Sequence, residues 1–215
     1  MHRIVLLGPP GTGKGTQAER VCARLGLRHF ATGDLLRAAI AAESPLGKAA
    51  KERMSKGELV PDELVVGLIK DACQDSGNTN FILDGFPRKV SQAEILENLL
   101  QERNVPLTKV ILLHSSDETL MDRLTSRRSC SGCSRVYNLK SHPSKIAFTC
   151  DVCGGALYQR NDDTPETIKK RIEIYGNETM PLVKFYEERG TLRRVDGEGE
   201  MQEIENNIMG AIEGT

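Results

Sequence analysis

Apolar residues fall along this chain in short unbroken runs that alternate with longer stretches of helical period. The first run, Arg3-Ile4-Val5-Leu6-Leu7, has the character of a buried parallel strand. Residues 27–31, 81–84, 110–113 and 191–195 supply four more strand candidates. Between them the period changes to that of helices. Residues 17–25 are helix-prone and Gly26 can end them. Thr32-Gly33-Asp34 opens a helix, and residues 45–57 form a second short piece closed by Gly57. Pro61 and Asp62 start another, with Val65, Leu68, Ile69, Ala72 and Cys73 on one face. Residues 75–80 read as a loop, and Ser91-Gln92-Ala93-Glu94 as a capping box before a helix to Arg103. Asp117 is expected to cap a helix carrying Leu120, Met121 and Leu124 that runs into Arg127-Arg128. Thr164-Pro165-Glu166 restarts a helix with proline in its first turn, and Pro181 should break or kink it. Met201, Ile204, Ile208 and Ile212 mark a last amphipathic helix.

Strands alternating with helices predict an α/β fold, a parallel sheet with right-handed crossovers. In such a sheet the ligand sits at the carboxyl ends of the strands. Two segments depart from the alternation. Residues 32–60 are helical with little strand character. Residues 129–160 hold cysteines, glycines, Pro143, Tyr137 and Tyr158 without helical period, and read as a separate small lobe.

The formal net charge of −1 over 215 residues lacks the basic excess of a general nucleic-acid binder. No stretch approaches the ~20 apolar residues of a membrane span, and no signal-peptide pattern precedes the first strand. The expectation is a cytoplasmic protein with no membrane partner, whose six cysteines are reduced or metal-bound.

The first candidate chemistry is Gly8-Pro9-Pro10-Gly11-Thr12-Gly13-Lys14-Gly15-Thr16, lying between the first strand and a helix. Glycines let a backbone wrap an anion closely, amide N–H groups at a helix start point at phosphate, and Lys14 adds positive charge. The strict pattern asks for Ser or Thr directly after the lysine; here Gly15 intervenes before Thr16. Asp84 ends another strand, where an acid holds Mg²⁺ beside such a loop, with Thr16 as the hydroxyl partner.

The second is Cys130-x-x-Cys133 and Cys150-x-x-Cys153, separated by sixteen residues. That spacing fits a four-thiolate zinc site, closed and therefore structural. A lobe of ~30 residues is too small to fold on an apolar core alone, so metal would stabilise it.

The third is a set of arginines near the expected mouth: Arg37, Arg88, Arg123, Arg127, Arg128, Arg160 and Arg171. Forked guanidinium groups suit phosphate oxygens. The four histidines are scattered and no general base stands out, which suits phosphoryl transfer.

Assembled, these residues resemble the adenylate kinases of the long type with a zinc-bearing lid, and the resemblance covers nearly the whole chain. The phosphate loop through Gln17, Thr32-Gly33-Asp34 with Arg37, Gly57 to Pro61, and Asp84-Gly85-Phe86-Pro87-Arg88 with Gln92 all match it. So do Arg123, Arg127 and Arg128 on one side of the lid, and Arg160, Asp162-Asp163 and Arg171 on the other. It implies a P-loop NTPase-like three-layer fold around a five-stranded parallel sheet. Residues 1–30, 61–126 and 164–215 would form the core, 31–60 an AMP-binding lobe and 127–163 the lid.

The implied reaction is ATP + AMP ⇌ 2 ADP with Mg²⁺, carried out by a monomer. By the resemblance Gly11, Thr12, Gly13, Lys14, Gly15 and Thr16 hold the ATP phosphates, with Arg123, Arg127, the backbone of Val136 and Tyr137, and Gly199 also on ATP. Thr32, Arg37, Glu58, Leu59, Val60, Gly85, Phe86, Pro87, Arg88 and Gln92 hold AMP, and Arg160 and Arg171 bridge to the transferred group. Ser126, Ser134, Asn138 and Ser141-His142-Pro143 depart from the family's usual residues. UMP/CMP kinases usually have a short lid, and GTP:AMP phosphotransferases a long one typically without four metal cysteines. A nucleic-acid-binding ATPase with a zinc ribbon would need a basic excess.

Overall fold

The structure is a computed structural model and describes residues 1–74 and 80–214. The loop expected at residues 75–80 lies outside the described residues save for Asn80, as does the packing expected of the Cys73 side chain. Five strands form one parallel sheet: β1 (Arg3–Leu7), β2 (Arg28–Ala31), β3 (Phe81–Asp84), β4 (Lys109–His114) and β8 (Leu192–Asp196). Their order across the sheet is β2-β3-β1-β4-β8. β1 therefore lies between strands reached by crossovers in opposite directions, so a crevice opens beyond its carboxyl end.

Apolar residues point alternately to the two faces. Val5, Leu7, Leu83, Val110 and Leu112 pack with α2 (Thr32–Ala41), α4 (Asp62–Gln74), α5 (Val90–Glu102) and α8 (Pro181–Glu187). Ile4, Leu6, Ile82, Ile111 and Leu113 pack with α1 (Lys14–Leu25) and α9 (Met201–Glu213) on the other face. Each such side chain, fully buried, contributes roughly 1.5–3 kcal/mol. The result is the expected three-layer α/β fold with a five-stranded parallel sheet.

Two segments leave this frame. After β2, α2 and α3 (Pro45–Ser55) pack together; Ser44 caps α3 by accepting from Gly47 N–H. A Cβ on Gly47 would sit 2.0 Å from the Ala39 carbonyl oxygen, so glycine alone permits this approach. After α6 (Asp117–Thr125), β5 (Arg127–Cys130), β6 (Val136–Asn138) and β7 (Leu157–Tyr158) form a small antiparallel sheet. The chain re-enters the main body through α7 (Pro165–Ile174), capped by Thr164, whose hydroxyl accepts from Thr167 N–H.

Local expectations are corrected in three places. Ser116, not Asp117, caps α6, since its hydroxyl accepts from Thr119 N–H while Asp117 occupies the first turn. The capping box at Ser91 does not form: α5 begins at Val90, and the Ser91 hydroxyl donates to Asp62 instead. Arg127 and Arg128 belong to strand β5 and not to the end of α6. At Pro181 the helix is widened rather than broken. Residues Tyr175–Thr179 form a π turn, in which Met180 N–H donates to the Tyr175 carbonyl at 2.9 Å. Proline has no N–H to return and its ring crowds the carbonyl four residues back, so the wider turn relieves that crowding.

Candidate active site

The loop from Gly8 to Gly13 joins β1 to α1 at the crevice. Gly8, Gly11 and Gly13 have φ of 145°, 93° and 91°, values that L side chains rarely adopt. Gly11 also lies against the Leu120 carbonyl and the Leu124 side chain of α6. Lys14, at the start of α1, folds back over this loop, and its Nζ donates to the Gly8 and Pro9 carbonyls at 2.8 Å each. Burial lowers the Lys14 ammonium to about 8; Asp84 acts against this, and Arg88, Arg171 and Arg127 add to it. The residue after it, Gly15, lies close to Asp84. A Cβ on Gly15 would stand 3.2 Å from Asp84 Oδ2.

Asp84 ends β3, next to β1 in the sheet. Burial disfavours its carboxylate, but His29, with Nε2 3.7 Å away, and the charges of Lys14 and Arg88 outweigh this and keep its pKa below the ordinary value. An anionic oxygen beside the first turn of α1, with the Thr16 hydroxyl on that turn, is a donor set of the hard kind that Mg²⁺ takes. His29 is a residue that spacing did not reveal. Only the parallel register of β2 on β3, which pairs His29 with Ile82 and Ala31 with Asp84, brings it there.

On the other side of the crevice lies an open cleft of about 590 Å³. Thr32, Arg37, Glu58, Leu59, Val60, Gly85, Arg88, Gln92 and Arg171 line it, together with Gly33, Leu36, Gly57 and Asp162. Phe86 is buried in the core beneath it, and the Phe86–Pro87 peptide is cis. Gln92 holds the turn above: its Oε1 accepts from Arg88 N–H at 2.7 Å while its Nε2 donates to Asp62 at 2.8 Å.

Five of the seven arginines expected at the mouth converge, four of them beside carboxylates. Asp163 is fully buried and takes Arg127 in two-pronged fashion, Nε to Oδ2 at 2.8 Å and a terminal nitrogen to Oδ1 at 2.6 Å. The same Asp163 accepts from Arg171 at 3.1 Å, and Arg171 also reaches Asp162 at 3.1 Å. Arg160 donates to Ser129 at 2.7 Å and lies 3.8 Å from Asp34, which also pairs with Arg37. Burial lowers the Arg160 guanidinium to about 10, and the nearby Arg127 and Arg37 add to this. Arg88 completes the group from the turn after β3, with Nε on the Gly85 carbonyl at 2.8 Å. The other two lie elsewhere. Arg123 ties the loops together, donating to the Gly197 carbonyl at 2.7 Å and approaching the Thr12 carbonyl at 3.4 Å. Arg128 turns back onto the Thr125 and Arg127 carbonyls. Gly199, with φ of 97°, follows in the loop that Arg123 fastens beside the phosphate loop.

The four cysteines of the small sheet come together, with all sulfurs within 4.8 Å of one another. Cys130 and Cys153 are 3.3 Å apart and Cys133 and Cys150 3.6 Å, too far for disulfides. Tetrahedral zinc with bonds of ~2.3 Å spaces its sulfurs about 3.8 Å apart, so the set fits such an ion. The two knuckles repeat one geometry. Ser134 N–H donates to the Cys130 carbonyl and Gly154 N–H to that of Cys150, with Ser134 and Gly154 at φ of 61° and 71°. Tyr137 is buried behind them. Its hydroxyl accepts from Asp151 N–H at 2.9 Å and stands 3.4 Å from Cys150 Sγ, whose pKa it lowers to about 6. Two departures from the family pattern turn out to be partners: the Asn138 amide donates to the Ser126 hydroxyl at 2.9 Å.

A family model described as adenylate kinase matches residues 6–191. The chain belongs to the adenylate kinase family. Among its relatives, the adenylate kinase of Thermodesulfovibrio yellowstonii is 50% identical over 212 residues, 98% of this chain and 99% of the relative. That of Bacillus subtilis is 45% identical over 212 residues, 98% of each chain. That of Ruminiclostridium cellulolyticum is 44% identical over 211 residues, 98% of this chain and 99% of the relative. Membership makes the chain a nucleotide-binding phosphotransferase, with ATP, AMP and ADP as its substrates.

Proposed function

We propose the following division of labour for the adenylate kinase reaction, in which the terminal phosphoryl group of MgATP passes reversibly to AMP to give two ADP. The observation that carries it is the convergence of Arg37, Arg88, Arg127, Arg160 and Arg171 between the glycine loop and the cleft. Gly11 to Thr16 cradle the ATP phosphates, and Lys14 leaves the Gly8 and Pro9 carbonyls to meet them. Arg123 and Arg127 hold the same phosphates, while the Val136–Tyr137 backbone and Gly199 meet the rest of ATP. Thr32, Arg37, Glu58 to Val60, Gly85 to Arg88 and Gln92 hold AMP. Arg160 and Arg171 face the group in flight. Its charge spreads over equatorial oxygens in the transition state, so fixed guanidinium donors stabilise it more than either ground state.

Asp84 and Thr16 would hold Mg²⁺ with the nucleotide, and the ion neutralises charge between the phosphates. The four cysteines would hold structural zinc in the lid. Residues 31–60 act as the AMP lobe and 127–163 as the lid over a core of 1–30, 61–126 and 164–215. Contacts that already span these parts, such as Lys170 on Glu58 at 2.8 Å and Arg160 near Asp34, support closure that excludes water. Free thiols fit a reducing cytoplasm, and the reading is of a monomer. No helix among the described residues is long and apolar enough to cross a membrane.

The test is an ADP-forming assay with ATP and each nucleoside monophosphate in turn, alongside Arg88→Ala. Turnover with AMP is expected, and the variant should weaken AMP binding at least tenfold while leaving ATP binding within about twofold, as separate titrations would show. Turnover with UMP or CMP but not AMP would overturn the assignment, as would equal losses for both nucleotides.

A further inference from the structure

The mechanism leaves unused a buried hydroxyl behind the arginine cluster. Thr179 closes the π turn and is almost fully buried, and its Oγ1 donates to the Arg88 carbonyl at 2.9 Å. Arg88 is thereby gripped on both sides of its backbone: its N–H donates to Gln92 and its carbonyl accepts from Thr179. Gln92 is itself tied to Asp62. The Arg88 side chain donates through Nε to the Gly85 carbonyl of its own turn and lines the cleft.

The π turn explains how one helical segment serves two tasks. Arg171 on α7 lines the cleft, and Thr179 lies eight residues later. In a regular α-helix eight residues leave the second side chain about 80° round from the first. The extra residue taken up by the π turn returns Thr179 towards the Arg171 side, where Arg88 lies. Pro181 follows after Met180, and the wider turn relieves the crowding of its ring against the carbonyl four residues back.

We infer that Thr179, delivered by the π turn ahead of Pro181, is a positioning residue for Arg88 and through it for the acceptor nucleotide. The inference rests on the reading of Arg88 as an AMP ligand. Arg88 sits on a turn and not inside a strand or helix, so the aim of its guanidinium follows the backbone that carries it. Hydrogen bonds on both flanks of that backbone hold it near the geometry that catalysis needs, where small displacements cost rate.

The experiment compares Thr179→Val, which keeps the shape and removes the hydroxyl, with Thr179→Ser, which keeps the hydroxyl. AMP and ATP are titrated separately, and each variant is also made in an Arg88→Ala background. Thr179→Val is expected to weaken AMP binding roughly five- to tenfold, the loss of about one buried hydrogen bond, with ATP binding unchanged. Thr179→Ser should restore most of it. In the Arg88→Ala background, Thr179→Val should add no further loss. Unchanged AMP binding in Thr179→Val, equal loss for ATP, or full additivity with Arg88→Ala would overturn the inference. If Arg88→Ala itself leaves AMP binding intact, the reading of Arg88 fails first, a result separable from failure at Thr179 alone. Should Thr179→Val not fold, Thr179→Ser and Thr179→Cys carry the comparison, and equal AMP binding in both would overturn the inference.

Discussion

At the scale of single residues, the site works by placing charges where solvent and neighbours shift them. Lys14 has its ammonium lowered to about 8 by burial and by surrounding arginines. In the proposed division of labour the protonated form is the one that meets phosphate, and it is lost as pH rises through that value. The kcat/KM for ATP, which reports the free enzyme, is therefore expected to fall above about pH 8. Lys14→Arg should move that limb upward, because guanidinium keeps its proton. A profile flat to pH 10 in the parent protein would refute this role. Lys14→Ala should lose most turnover, on the order of a hundredfold or more, with its melting temperature little changed. Gly15 shows why a lone motif is incomplete: where Ser or Thr is usual, a side chain would crowd Asp84 Oδ2, which a Cβ would approach to 3.2 Å.

At the scale of elements, the small antiparallel sheet of β5, β6 and β7 buries few apolar residues, among them Tyr137 and Leu157 beside Cys130 and Cys150. In the proposed reading, metal on the thiols makes up for so small a core. Cys130→Ser is expected to lower zinc content and to make the lid unfold before the core, seen as an early step in a thermal melt followed by proteolysis. Metal content equal to that of the parent would show that the tetrad is misread. The strands and helices of the core were legible almost to the residue, since apolar runs and helical periods are local properties. Caps were less so. Ser116 and Asp117 are both good capping residues, and only the backbone turn at Ser116 decided which hydroxyl or carboxylate met the free N–H. Ser91 lost its capping role to a tertiary partner, Asp62, twenty-nine residues away.

At the scale of the whole molecule, a net charge of −1 conceals a cluster of five arginines at one mouth. Carboxylates of the same region hold that cluster together, and Asp163 is its centre, with one guanidinium from β5 and one from α7. Replacing it leaves Arg127 without its carboxylate partner and Arg171 with Asp162 alone. Asp163→Ala is expected to destabilise the protein by about 3 kcal/mol, the lower end of what breaking a buried pair costs, because both arginines keep some access to water. Denaturant unfolding measures this; a change below about 0.5 kcal/mol would show that the pairing has no net weight. The same variant should weaken ATP binding, since Arg127 loses the partner that aims it.

The sequence by itself determined the parallel α/β plan, the glycine loop between β1 and α1, the acid at the end of β3 and the four thiols of the small antiparallel sheet. Each of these is written in residue type and in spacing over a few tens of residues. Only the tertiary structure decided which arginines converge, that Arg128 turns away and Arg123 fastens loops, and that His29 stands beside Asp84. The same holds for Thr179, which a π turn brings to Arg88. Several of these contacts join residues tens to more than a hundred positions apart, and their geometry follows from strand register and helix phase. A charged or hydroxyl side chain carries no local mark of the partner that packing will bring to it.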